Sequence, residues 1–544
     1  MMKLSRIALA TSLALGVVAT AHAANDTNTR YIVTYKSDAV QAGQSAMHRA
    51  GGKSALVLGN RHAEAVYLDD AGLANLKADK NIEKIEEDFK RYPTSIWSDD
   101  AGDPMTTEVT PYGVYQTQAN QMSFATTADL TVCIIDAGMD ATNTDFNWNN
   151  VTGTNDSGTG NWYENGGPHG THVAGTIAAL GGNNRGVVGM VGNGGVKLHI
   201  VKVFNEAGWG YSSDLAHATD VCTANGADII SMSLGGGGAN STEENAFNNF
   251  VANGGLVVAA AGNDGNNVRS YPAGYSSVMM VGAVDADNLI ASFSQFPPIT
   301  KRVKGQTVSD ETIGVEISAP GVDTLSTYPA GMATVSNMTA NSLSYASSAM
   351  ENLGSASGST YNMGTAQAVD NGANGKVCVI ERGVISFHDK VLNCENSGGI
   401  GAIIYNNVAG MLYGTLGDAT TNVTSIPVVG ATMEDGPALV AATTATVSVG
   451  PSDFGFMSGT SMATPAVSGV AALVWSHHTD CTGTEIRDAL KAAAEDQGTA
   501  GRDDYYGYGI VKAAAASAYL DAHACTGGTP PPPPPPTCTK RKCR

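Results

Sequence analysis

Ser461 lies in Gly459-Thr-Ser-Met-Ala-Thr-Pro465, a run of small residues that shapes a turn presenting one hydroxyl. A serine hydroxyl is a poor nucleophile at neutral pH. It needs an imidazole to take its proton and a buried carboxylate to orient that imidazole. Two upstream stretches offer both: Asp136 ends the apolar run Leu130-Thr-Val-Cys-Ile-Ile135, and His169 opens His169-Gly-Thr-His-Val-Ala-Gly-Thr176. Singly, each has a plainer use, since an Asp at a strand end commonly caps a turn. Together, in the order Asp, His, Ser, they form a set for acyl transfer. His169 and His172 lack the Glu that a zinc peptidase helix carries in H-E-x-x-H. The G-x-S-x-G elbow of a lipase or esterase is missing around Ser461.

Groups so far apart in sequence need a scaffold that gathers them. Leu130 to Ile135, Lys197 to Phe204, Ala227 to Met232 and Leu256 to Ala260 are near-continuous apolar runs, the pattern of strands covered on both faces. Helices are expected between them, one from His169 over Gly170 to Ala179 and one over Ser461 to His477, giving an α/β fold with a mainly parallel sheet. A serine at a helix N-terminus also gains support for developing negative charge.

The chain has 544 residues, 65 of them Gly, with 15% charged residues and a formal net charge of -20. That length calls for several domains. The acidic balance, without a basic stripe, argues against a nucleic-acid partner. Lys3 and Arg6 precede an apolar run from Ile7 to Ala19 and the small-residue end Ala21-His-Ala23, which reads as a signal peptide over residues 1–23. That run is too short to span a bilayer, so a secreted, extracellular product with no membrane partner is expected. Eight Cys in an exported chain favour disulfides. Cys481 and Cys525 bracket the last helical region, so they are expected to pair; Cys133 and Cys222 either pair or serve as small buried residues. Cys538 and Cys543 follow the stiff run Pro530 to Pro536.

The blocks around Asp136, His169 and Ser461, with a fourth around Asn263 in Ala260-Ala-Gly-Asn-Asp-Gly265, resemble those of the subtilisin-type serine peptidases, the subtilases. Subtilisin is itself the reference case for this chain order. The resemblance covers roughly residues 107 to 327 and 453 to 520. It implies a three-layer subtilisin-like fold and a serine endopeptidase in which Asp136 orients, His169 is the general base and Ser461 the nucleophile. The Asn263 amide and the Ser461 backbone N–H would form the oxyanion hole. Ser231-Met-Ser-Leu-Gly-Gly236 corresponds to the edge on which an extended substrate lies, with Ser233, Leu234 and Gly235 offering backbone pairing. Ala260, Ala261 and Gly262 would wall the pocket for the residue before the cut bond, with Ser270 at its base and Asp264 at its rim. Small walls imply a preference for medium to large apolar residues. Ala466, where relatives usually carry His, departs from the pattern at a position that is not catalytic.

The same resemblance assigns the remaining parts. Residues 24–98 read as a small α+β inhibitor prodomain: Tyr31 to Tyr35 and Ala63 to Leu68 as strands, a helix before Gly51, and an end at Ile82 to Tyr92. It would template folding and block the cleft as an intramolecular inhibitor until cleaved between Tyr92 and Met105. Gly375-Lys-Val-Cys-Val-Ile-Glu-Arg-Gly383 and Gly401-Ala-Ile-Ile-Tyr-Asn-Asn407 resemble a β-rich protease-associated (PA) domain, placed at 330–450 and holding the expected pair Cys378 and Cys394. It is either a substrate selector or a surface insertion packed beside the cleft. The catalytic domain then occupies 99–329 and 451–526, with a Pro-rich linker and basic tail at 527–544. A structural calcium is implied at Glu108, Asp145 and Asn183, with Asn184 as the alternative to Asn183, completed by the carbonyls of Leu180, Arg185 and Val187. No catalytic cofactor is implied. The expected partners are protein and peptide substrates, and the expected state is a monomer.

Overall fold

The computed structural model describes residues 29–58, 62–87, 96–100, 102–155, 158–204, 210–408, 410–417 and 420–526. The expected signal peptide, the Pro-rich linker, Cys538, Cys543 and the basic tail lie outside them. The chain divides into two compact units between Pro93 and Thr94.

In the first unit, strands β1 (Thr29–Tyr35), β2 (Lys53–Leu58), β3 (Ala63–Leu68) and β4 (Ile82–Glu87) form an antiparallel sheet in the order β2-β3-β1-β4. Helices α1 (Val40–Arg49) and α2 (Asp70–Lys77) accompany it. Val33, Tyr35, Met47, Val66, Leu68 and Leu76 build a core of its own.

The second unit is organised by seven parallel strands: β5 (Thr131–Asp136), β6 (Val151–Asn155), β7 (Lys197–Lys202), β8 (Ile229–Met232), β9 (Leu256–Ala260), β10 (Val278–Val284) and β11 (Ile317–Pro320). Their order is β11-β10-β9-β8-β5-β7-β6. The apolar runs are strands because both faces are covered. Val132 and Ile134 of β5 join one core with Val173 and Ile177, while Cys133 and Ile135 join another with Leu215, Phe247 and Phe250. The first core lies under α4 (His169–Ala178), which follows the short helix α3 (Tyr112–Gln116). The second lies under α5 (Ser212–Ala224) and α6 (Ser241–Ala252). The result is three layers, helix, sheet, helix. Strand alternation turns Cys133 onto the α5 face, where it bonds Cys222. Of the two uses open to those cysteines, pairing is the one adopted.

After β11 the chain runs through β12 (Thr324–Thr327) and leaves the catalytic body. It forms an eight-stranded mixed sheet from β13 (Ala333–Ala340), β14 (Leu343–Tyr345), β15 (Ser348–Ala349), β16 (Gly354–Asn362), β17 (Val377–Glu381), β18 (Gly401–Tyr405), β19 (Val428–Ala431) and β20 (Thr444–Ser452), in the order β14-β13-β20-β16-β17-β18-β19-β15. Helices α7 (Phe387–Asn396) and α8 (Gly436–Ala441) belong to this insertion, and Cys378 bonds Cys394 within it. The chain returns through β21 (Phe454–Met457), which pairs antiparallel with β12, so two strands form the stalk of the insertion. Helices α9 (Thr460–His477), α10 (Gly483–Ala492) and α11 (Ala513–Ala522) complete the body, and Cys481 bonds Cys525.

Candidate active site

A parallel sheet gathers loops at the carboxyl ends of its strands, and the predicted residues come from those ends. Asp136 is the last residue of β5, Ser233 follows β8, and Ala261 to Asp264 follow β9. His169 and Ser461 start helices whose N-termini point to the same edge.

Asp136 is 1% exposed and takes the Ala137 N–H at 2.7 Å. The Nδ1 of His169 faces both of its oxygens, at 2.9 and 3.0 Å. That bond fixes the neutral tautomer with the proton on Nδ1, leaving Nε2 as the acceptor. Burial pulls the imidazole down, but the charge and hydrogen bond of Asp136 more than offset it, so His169 stands above the ordinary imidazole value. The close fit needs Gly170: a Cβ there would lie 2.0 Å from the Gly138 carbonyl.

His172, one turn further along α4, has a different fate. It is fully buried and its Nε2 donates to the Thr324 carbonyl at 3.0 Å. Burial drives its pKa down to about 3, against the opposing pull of the Thr324 carbonyl. His172 is engaged by the stalk of the insertion instead. It belongs to a clamp in which Ser326 donates to the His172 carbonyl and Thr327 to the Thr171 carbonyl, both at 2.8 Å. The stalk of the insertion therefore grips the helix that carries His169.

Ser461 is the second residue of α9. Pro465 lacks the N–H that would normally bond the carbonyl four residues back, and the freed Ser461 carbonyl instead accepts the Ser233 hydroxyl at 2.7 Å. In return the Ser461 hydroxyl donates to the Ser233 carbonyl at 3.0 Å. It is turned to that carbonyl and makes no hydrogen bond to His169.

Asn263 is oriented by Thr460, a residue the sequence reading missed although it adjoins Ser461. The Thr460 N–H and hydroxyl both donate to Asn263 Oδ1, at 2.9 and 2.8 Å, and the Gly262 N–H donates to the Thr460 hydroxyl at 3.2 Å. Two donors on Oδ1 settle which way the amide faces, leaving Nδ2 turned to the Gly459 turn. The point where Gly459 would carry a Cβ is 3.3 Å from Nδ2 and 3.6 Å from the Ser461 N. Two nitrogen donors thus lie around a point kept open by a missing side chain, an arrangement that can hold an oxyanion.

The recognition residues also come together. A Cβ on Gly235 would stand 2.9 Å from the Ser270 hydroxyl and 3.8 Å from the Ala260 carbonyl. Leu234 packs against the second core, Gly235 is exposed beyond it, and Asp264 is exposed. Ala261 is fully buried in that core, so only its backbone remains as a pocket wall.

At the proposed cation loop, Glu108 accepts from Gly182 N at 2.6 Å and Asn183 N at 3.1 Å. Asp145 accepts from Asn183 Nδ2 at 2.7 Å and Val187 N at 2.9 Å. Asn183 therefore faces Asp145, while Asn184 serves the turn with a left-handed φ of 64°. The Leu180 N–H donates to the Asp145 carbonyl at 3.0 Å and the Arg185 N–H to Asn183 Oδ1 at 3.1 Å. Among the described residues no group of three or more His, Cys, Asp or Glu is arranged to hold a metal. The set has two carboxylates and otherwise offers amide and carbonyl oxygens, a donor chemistry that fits a hard cation.

Comparison with known proteins decides what kind of site this is. The subtilase family model matches residues 127–369 and 419–509, and the PA domain model matches 342–439. The chain belongs to the subtilase family. It is similar to subtilisin NAT of Bacillus subtilis subsp. natto, 33% identical over 320 residues that cover 56% of this chain and 75% of that one. Subtilisin DY of Bacillus licheniformis is 39% identical over 234 residues, 42% of this chain and 78% of that one. Among solved structures, the psychrophilic subtilisin-like protease Apa1 from Pseudoalteromonas sp. AS-11 aligns with a TM-score of 0.62 and 41% identity, covering 78% of this chain and all of that chain. This subtilase is a serine endopeptidase of the subtilisin type with an inserted PA domain.

Proposed function

We propose that this subtilase is exported as a zymogen and cuts polypeptides with Ser461 as nucleophile, His169 as base, Asp136 as its orienting carboxylate, and Asn263 with the Ser461 N–H as oxyanion hole. The observations that carry this reading are the nearness of the Asn263 amide nitrogen and the Ser461 N to one open point at Gly459, and the hydrogen bond by which Asp136 holds His169. His169 Nε2 takes the Ser461 proton as the hydroxyl attacks the substrate carbonyl, and the two N–H groups bind the oxygen as it gains charge. His169 then passes the proton to the departing amine, and water releases the acyl group by the same steps.

Strand addition along Ser233 to Gly235 would hold the substrate with little regard for sequence. The space between that edge, Ala260, Gly262 and Ser270 would admit a medium to large apolar residue before the cut bond. In the first unit, an independent core and sheet support its role as the inhibitor prodomain. A calcium held by Glu108, Asp145, Asn183 and the Leu180, Arg185 and Val187 carbonyls would brace the loop between α4 and β7. It supplies charge compensation and no chemistry. The three disulfides among the described residues fit an oxidising compartment, and no described helix is long and apolar enough to cross a membrane. We read the active form as an extracellular monomer.

Ser461→Ala tests the assignment. The purified variant should lose casein hydrolysis and keep residues 29–87 attached. Casein hydrolysis at the wild-type rate would refute the nucleophile.

A further inference from the structure

The five residues at 96–100 are tied to the catalytic body by contacts of very different worth. The Ile96 N–H donates to Asp287 Oδ1 at 3.0 Å, an exposed bond worth little. Trp97 is better anchored. Its backbone N–H reaches the Ala286 carbonyl at 3.1 Å, and its indole Nε1–H reaches Asn288 Oδ1 at 3.2 Å. Asn288 is buried and takes a second bond there from Gln116 Nε2 at 2.8 Å. The Lys512 ammonium lies 5.6 Å from the centre of the indole ring, within cation–π range. Beyond it, Asp99 Oδ1 accepts the N–H of Tyr112, the first residue of α3, at 2.7 Å, and the Asp100 N–H reaches the Thr110 carbonyl at 3.0 Å.

We propose that residues 96–100 stay with the active enzyme as an amino-terminal clasp, joining the turn after β10 to α3 and the start of α11, and that the chain is severed on the amino side of Ile96. This rests on the zymogen reading and narrows where its processing falls. A cut after Trp97 would strip Asn288 of one donor and free the ring from Lys512. A cut before Ile96 disturbs none of these contacts. The step is hydrolysis of one peptide bond: water adds, the new carboxylate leaves with the first unit, and the new amine begins the second.

The amino terminus of purified active enzyme, read by sequencing and intact mass, should lie at or before Ile96. Active enzyme that begins downstream of Trp97 overturns the proposal. Trp97→Ala should lower the Tm by roughly 2 °C while turnover of a four-residue chromogenic peptide stays within about twofold. Trp97→Phe should recover part of the loss, since it restores a ring but no indole N–H. An unchanged Tm in Trp97→Ala overturns the clasp. Should the active wild-type chain prove uncut, the zymogen reading fails by itself, and the Tm of Trp97→Ala, measured in the uncut chain, still decides the clasp.

Discussion

His169 and His172 lie one turn apart on α4, and their surroundings drive them in opposite directions. His169 stands at the helix start with its side chain 35% exposed and a carboxylate on Nδ1, which raises its pKa. His172 is sealed between α4 and the stalk of the insertion, has a neutral carbonyl as its partner, and is pushed down to about 3. The difference lies in the partner: a buried charge stabilises imidazolium, whereas a carbonyl dipole cannot repay desolvation. One helix therefore has a chemical end and a structural end, and each should fail in its own way.

The largest effect belongs to the chemical end. His169→Ala should lower kcat by roughly 10⁶-fold, the loss seen when the base of a subtilisin triad is removed, with little change in Tm. His172→Ala should do the reverse. Loss of buried packing and of the donor to Thr324 should cost roughly 2–4 kcal/mol of stability, with peptide turnover at permissive temperature within a few fold. Equal kinetic losses in both variants would break the comparison. Asn263→Ala should lose roughly 10²–10³ in kcat with KM little altered, the magnitude established for the corresponding donor of subtilisin.

The pH dependence separates the two ends again. His169 must be neutral to act, so kcat/KM should rise through an apparent pKa above the ordinary 6.5. His172 has a folded pKa below its unfolded value, so the unfolded chain binds more protons between about 3 and 6.5. The stability due to its neutral form is complete above 6.5 and is lost as pH falls through that window, on the order of 4 kcal/mol in all. His169 has the opposite sign: its contribution is complete below 6.5 and is lost as pH rises through the folded value. Denaturant titrations at pH 7.5 and 4.5 should show a smaller acid loss for His172→Gln than for wild type. Identical losses would remove His172 as the cause.

Calcium should act on the structural side. A hundredfold excess over its Kd would add about 2.7 kcal/mol to stability, so chelation should lower the Tm while peptide turnover below the transition holds. Equal melting with calcium and with chelator would eliminate the site. The smallest kinetic effect is expected for the insertion. Replacing residues 330–450 by a Gly/Ser linker, with β12 and β21 kept so that α4 remains clamped, should leave cleavage of a four-residue peptide within a few fold while altering cleavage of folded proteins. A variant cut back through Ser326 and Thr327 should lose turnover on both substrates, because the carbonyls of Thr171 and His172 then lose their donors.

What the sequence alone determined was local. Runs such as Leu256 to Ala260 declare a strand covered on both faces, because burial selects the residue type at every position. Asp136, His169 and Ser461 carry the proposed chemistry in their types, because only certain side chains can serve as orienting carboxylate, base and nucleophile. Tertiary structure decided what depends on distance. Cys133 was equally suited to a bond or to plain burial until β5 turned it towards α5. The sense of the Asn263 amide was set by Thr460, 197 residues away, and no local pattern marks that pair. His172 looks in sequence like a companion of His169, and only the packing of the stalk strand β12 on α4 made it a buried clamp. Residue type and period are written along the chain, whereas orientation, desolvation and mutual reach exist only once distant segments have packed.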